Sequence, residues 1–225
     1  MTEERQIKRP SAKVYRPVKL ALCLQDKDFN DNFFNCDTVD ALDDVPLYFI
    51  DRALCDHPNG FLQLVIHTSL VQNNSELLVY RHLDTAEPYN AGKLSCGFGG
   101  RIESIEAYQS AMGAMRTLVY REIARELQKQ VGIPFTTTLT QLAFNTAPWG
   151  WSRCYDASVG PVAQLAIRIK VDVTGLDLNF NQSEISSPRW IPFTELEQYQ
   201  PDMVNWSQNV VHNILRDLQS KEQAA

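Results

Sequence analysis

The chain is poor in the features that would place it in several common classes. Its five cysteines (Cys23, Cys36, Cys55, Cys96, Cys154) are odd in number and contain no C-x-x-C pair. That argues against a disulfide framework or a zinc site and fits reduced thiols in a cytoplasmic protein. No apolar run approaches the length of a membrane span, and the polar, charged start lacks the apolar core of a signal peptide. Dense basic runs are absent too: 27 Asp and Glu against 21 Lys and Arg leave a net charge of -6. An acidic chain is a poor partner for a nucleic-acid backbone. Small phosphorylated metabolites stay open, because a metal ion can offset their charge locally. The four histidines (His57, His67, His82, His212) show no spacing of a metal cluster or a triad. Without a Walker-type loop, phosphoryl transfer by that route is disfavoured. There is no internal repeat and no low-complexity tract.

What is present is enough for one good core: 225 residues, 44% of them hydrophobic. Residues 1–60 read as an N-terminal extension packed on the main domain, with a strand at 18–24, a loop rich in Asp and Asn at 25–44, and a turn at His57-Pro58-Asn59-Gly60. Strands are expected at 61–71 and 76–82, joined by an Asn73-Asn74 turn, then a loop and a segment running into Gly99-Gly100. A helix follows through Glu126. Further strands are expected at 136–144 and 162–173, with loops at 145–160 and 179–188. Thr194 and Glu197 make a capping-box pattern before a short helix. A last helix is expected at 203–218 and a disordered tail at 219–225.

The informative stretch runs from Gly99 to Glu126. At about 100° per residue, Glu122 and Glu126 lie roughly 40° apart on one helical face. Met115, Leu118, Val119, Ile123 and Leu127 define an apolar arc of about 180°, and both glutamates fall inside it. Arg121 lies outside the arc and Arg125 just beyond its edge. Acids on a core-facing side need a partner. A divalent cation held by oxygen ligands is one; ion pairs with Arg125 and Lys129 are the other. Gly99 and Gly100 let the backbone turn tightly, and a carbonyl there can reach a metal. Arg81 could meet a phosphate or lie on the sheet surface. Trp149 and Trp151, flanking a glycine, could stack a nucleobase or cap the edge of the core.

These residues resemble the Nudix hydrolase signature, G-x5-E-x7-R-E-U-x-E-E-x-G-U with U apolar. Gly100 and Glu106 match its first part; Arg121-Glu122-Ile123 and Arg125-Glu126 match its second at all but one position. The departures are specific. The spacer from Glu106 to Arg121 is 14 residues where the signature has seven, the closing glycine comes one turn late at Gly132, and Arg125 stands where the family has an acid. The insert reads either as two further helical turns or as a loop broken at Gly113. Tyr80-Arg81 before Ser95-Cys96-Gly97-Phe98-Gly99-Gly100 resembles a subgroup of Nudix proteins known only as phosphoesterases. A second resemblance lies at the other end, where Glu184 precedes Trp190 and Glu195-Leu196 follows it.

The resemblance implies a Nudix-type α/β/α sandwich around a mixed β-sheet over 61–218. It implies hydrolysis of a diphosphate bond in a nucleoside diphosphate linked to another moiety, with Mg²⁺ or Mn²⁺ held by Glu122, Glu126, Glu184 and the Gly100 carbonyl. Glu126 is then the first ligand, and Glu122 and Glu184 are ligands or bases. Arg81, Arg125, Trp149 and Trp151 would contact substrate, while Arg121 and Glu106 tie loop to helix. Arg125 equally supports a degenerate domain that binds a nucleotide or a protein partner without turnover. Substrate identity and oligomeric state stay open, a homodimer included.

Overall fold

The computed structural model describes residues 19–25, 42–43, 45–55, 60–83, 90–102, 114–145, 148–156 and 162–223; at 53, 55, 141–145, 148–156, 162–163 and 222 it describes the backbone alone. The elements in chain order are β1 (Leu20–Gln25), β2 (Leu47–Asp51), α1 (Arg52–Cys55), β3 (Phe61–Gln72), β4 (Glu76–His82), β5 (Leu94–Ser95), α2 (Met115–Val131), α3 (Phe135–Asn145), β6 (Pro148–Asp156), β7 (Val162–Asp172) and β8 (Ile185–Pro192). A run of 3-10 turns (Phe193–Asp202) leads into α4 (Asn205–Gln223).

The long apolar strand β3 is the spine of a mixed sheet. One edge pairs in parallel with β7 from Gln63↔Gln164 to Val71↔Asp172. Its other edge is shared: β1 takes the start (Cys23↔Gln63), β4 takes the end (Val71↔Leu77), and both run antiparallel to it. Between them the glycine segment fills the gap. Ile66 donates its amide to the Gly100 carbonyl at 2.8 Å, and Thr68 and Phe98 exchange both backbone bonds at 2.7 Å. The backbone amides of Ile66 and Thr68 on this buried strand are thereby paired, as burial requires. β2 pairs with β1, so residues from both sides of position 60 share one sheet.

Side chains alternate across the strands and build two cores. Leu62, Leu64, Ile66 and Leu70 of β3 and Leu165, Ile167, Ile169 and Val171 of β7 face α2, meeting Met115, Leu118, Val119, Ile123 and Leu127. Val71, Leu77 and Val79 face the other way, toward Val210, Val211 and Ile214 of α4. α3 packs against α2 and β7. The result is a helical layer on each side of the sheet.

Several sequence expectations are corrected. Residues 136–144 are not a strand but lie in α3, although threonine and phenylalanine favour strands; packing on α2 and β7 overrides that weak propensity. The helix absorbs its threonines, as when the Thr140 hydroxyl donates to the Thr136 carbonyl at 3.0 Å. The expected loop at 145–160 contains β6, which completes the free edge of β7 from Pro148↔Ile169 to Asp156↔Val162. The end of the 179–188 loop is already strand, since β8 pairs with β4 from Ile185 onward. No capping box forms: Pro192 occupies the N-cap without a side-chain bond, and Thr194 lies inside the 3-10 turns. α4 starts at Asn205 and runs to Gln223 rather than ending at 218, carried by good helix formers such as Lys221 and Gln223.

Candidate functional site

The site is built where the glycine segment passes β3 and α2 points its acids at the loop before β8. Gly99 has φ 140°, and a Cβ there would collide with the Ile66 carbonyl oxygen, so only glycine fits. A Cβ on Gly97 would overlap the His67 ring. Burial, helped by the Arg168 charge, pushes the His67 pKa down to about 4, so this imidazole is neutral at pH 7. On the other side of Gly97, its carbonyl accepts the Tyr80 hydroxyl at 2.7 Å. Tyr80 sits between Phe98 and His82, with ring centroids 4.9 and 5.3 Å away. Burial holds the Tyr80 hydroxyl well above its ordinary pKa and the His82 imidazole below its own. The β4–β8 register slips between Val79 and Arg81, opposite Ser187 at φ 50°, which bends the strand at Tyr80.

Helix α2 ends beside this strand. Gly132 closes it in the left-handed conformation, φ 71°, which accounts for the late glycine of the sequence motif. The helix is therefore one turn longer than the signature implies. The amides of Asn179 and Asn181 then bond the Val131 and Gln130 carbonyls, each at 2.9 Å, and hold the 179–184 loop against the helix end. Residues of the added turn reach the acids. Lys129 Nζ meets Glu184 Oε1 at 2.8 Å, and Gln130 Nε2 donates to Glu126 Oε2 at 2.8 Å.

The helical wheel holds. Glu122 is buried with the apolar arc, at 7% exposure, and Glu126 is half-buried beside it. Their partner is Arg125. Its Nε donates to Glu122 Oε2 at 2.9 Å, and its Nη2 lies 2.8 Å from the same oxygen and 2.6 Å from Glu126 Oε1. Burial works to lower the Arg125 pKa, but the two carboxylates outweigh it and hold the guanidinium above its ordinary value. The Lys129 ammonium is raised as well, chiefly by its bond to Glu184. Three carboxylates and two cations leave the cluster with one net negative charge.

Among the described residues, no group of three or more His, Cys, Asp or Glu is placed to hold a metal ion. The donor set as arranged does not fit Mg²⁺ or Mn²⁺. Arg125 stands between Glu122 and Glu126, and Lys129 takes Glu184. The Gly100 carbonyl, expected to reach a metal, accepts the Ile66 amide instead. Arg81 turns its guanidinium to the Gly92 carbonyl at the surface. Arg121 is exposed on α2, while Glu106, its expected partner, lies outside the described residues. Trp149 and Trp151 fall on β6, and their side chains also lie outside the description.

Next to this cluster a cleft of about 370 Å³ opens, lined by Tyr80, His82, Asn90, Gly97, Gly99, Gln130, Ser183 and Glu184, with Leu83 and Ile185. Sequence reasoning missed Tyr80, His82, Asn90 and Gln130. For Gln130 a signal existed, because it follows Glu126 by one helical turn. No helix among the described residues is long and apolar enough to cross a membrane.

Comparison with known proteins adds the fold. No protein-family model matches the chain, and no curated protein does. Among solved structures, Tm1382, described as a candidate Nudix hydrolase, superposes with a TM-score of 0.52 at 14% identity, covering 88% of this chain and 99% of that one. DR0079 from Deinococcus radiodurans gives 0.50 at 14% identity, with 86% and 98% covered. A Nudix hydrolase from Alicyclobacillus acidocaldarius gives 0.50 at 12% identity, with 68% and 90% covered. Helical layers on both sides of a mixed sheet, a glycine segment on its central strand and a following helix that carries two glutamates are thus the Nudix fold, which this chain shares.

Proposed function

We propose that this chain binds a nucleotide-type small molecule in the cleft beside α2 and does not carry out metal-dependent hydrolysis. The observation that carries the reading is the Arg125 guanidinium, held within 2.6–2.9 Å of both Glu122 and Glu126. A cation already seated between two carboxylates neutralises them and repels a second cation. The cleft itself is of the size that takes small ligands, which fall at roughly 300–1,000 Å³.

Hydrolysis of a diphosphate bond is the second reading. It is favoured by Glu122 and Glu126, which keep their signature positions on the buried side of α2, with Glu184 on the neighbouring loop. If a divalent ion displaced Arg125, it would supply charge neutralisation and an activated water. Calorimetry with Mn²⁺, paired with a hydrolysis screen over dinucleotides, nucleotide sugars and nucleoside triphosphates, separates the two. The binding reading expects no turnover and weak Mn²⁺ binding that tightens in Arg125→Glu. Turnover by the wild type that is lost in Glu126→Gln would establish the hydrolase. Mn²⁺ affinity unchanged or weaker in Arg125→Glu would mean that this face of α2 never held an ion.

A further inference from the structure

The charges around the cleft say what kind of ligand it takes. Glu184 is the one charged side chain among the described lining residues. The nearby cations are committed elsewhere: Arg125 to Glu122 and Glu126, Lys129 to Glu184, Arg81 to the Gly92 carbonyl. What the cleft offers instead is neutral. Asn90, Gln130 and Ser183 line it with uncharged polar groups, of which the Gln130 amide nitrogen already donates to Glu126 and the Ser183 hydroxyl to Asn181, and Tyr80 lies in its wall. A second cavity of about 490 Å³ adjoins it, sharing Leu83 and Ile185. Leu178, Phe180 and Pro188 make part of that wall apolar, and none of the described residues lining it is charged.

We propose, resting on the nucleotide-type reading above, that the two cavities together recognise an uncharged nucleoside-class ligand, and that a diphosphate on it is disfavoured rather than gripped. An apolar wall suits a base, and neutral hydrogen-bonding side chains suit a ribose. A diphosphate brought to the same place meets Glu184 and a cluster that already carries a net negative charge. Nothing among the described lining residues offers the guanidinium or ammonium donors that phosphate recognition ordinarily uses.

The test is calorimetry on the full chain in EDTA, with the four common ribonucleosides and their 5′-diphosphates as probes. At least one nucleoside should bind, and its diphosphate should bind about threefold or more weakly, the direction set by like-charge repulsion. Equal or tighter binding of the diphosphate overturns the proposal while leaving the nucleotide-type reading intact. If none of the eight probes binds, that reading falls, and the proposal with it. Glu184→Gln removes the lining charge and releases Lys129, so the diphosphate-to-nucleoside affinity ratio should rise by about fivefold or more. A ratio that does not move in this variant shows that charge is not what selects the ligand, and overturns the proposal.

Discussion

At its C-terminal end, α2 is closed by its own sequence and by the loop that follows α3 and two strands. Gly132 turns left-handed, Asn179 and Asn181 donate to the last carbonyls, and Lys129 reaches Glu184. At its N-terminal end the helix has no cap of its own: Ala114 is extended and makes no side-chain bond. There the Met115 amide is met at 2.8 Å by the carboxylate of Asp43, 72 residues earlier in the chain. An acid at that end also opposes the positive pole of the helix. One end is thus fixed by several short bonds to a loop that shapes the cleft. At the other, the Met115 amide is met by Asp43 from the segment before β2. The end nearest the cleft is the better determined one, as a preorganised binding site requires.

Four measurements break or sharpen this comparison. Leu118 is fully buried in the first turn of α2, in the core between helix and sheet. Leu118→Ala should therefore cost about 2–5 kcal/mol in urea unfolding. A smaller loss would mean that the core under the helix is looser than its packing shows. Gly132→Ala comes next: its φ of 71° is strained for a side chain, and the Cβ would press on Asn179 at 2.9 Å. A loss of about 1–3 kcal/mol is expected, together with weaker ligand binding, because the 179–184 loop is displaced.

Asp43→Ala removes the bond to the Met115 amide at the opposite end and should cost about 1 kcal/mol, while Asp43→Asn should recover most of it. If Asp43→Ala costs more than Gly132→Ala, the ranking of the two ends is wrong. The smallest effect is expected for Lys129→Ala. Both its ammonium and Glu184 are substantially exposed, 52% and 36%, so the ion pair should contribute no more than about 1 kcal/mol. That loss should shrink further at high salt. A larger loss, insensitive to salt, would show that Lys129 acts through packing and not through charge.

Parts of this molecule were legible in the sequence because their causes are local. The placing of Glu122 and Glu126 on the buried side of α2 follows from helical period alone, and the structure keeps it. The ion pairing of Arg125, three residues from one acid and next to the other, was one of the two partners open to these acids, beside a divalent cation. Period-two alternation likewise located β7, and the turn at Asn73-Asn74 fixed the β3–β4 hairpin, with both residues at positive φ. By spacing, Lys129 was one alternative partner for the acids of its own helix. It pairs with Glu184 instead, 55 positions away, a contact that no local pattern announces.

What the sequence by itself determined is the glycine segment, the helix with Glu122 and Glu126 after it and the strands on either side, each carried by a period or a turn residue. Tertiary structure alone decided the rest. Residues 135–145 became a helix because the site against α2 and β7 outweighed a threonine-rich preference for strand. Residues 148–156 became a strand because β7 had an open edge whose amides and carbonyls needed partners. The Gly100 carbonyl went to β3 for the same reason, since a buried strand cannot leave its amides unbonded. The partners of the acids were decided in three dimensions as well, by one added turn and one substituted side chain: Arg125 closes on Glu122 and Glu126, Lys129 meets Glu184, and Gln130 donates to Glu126.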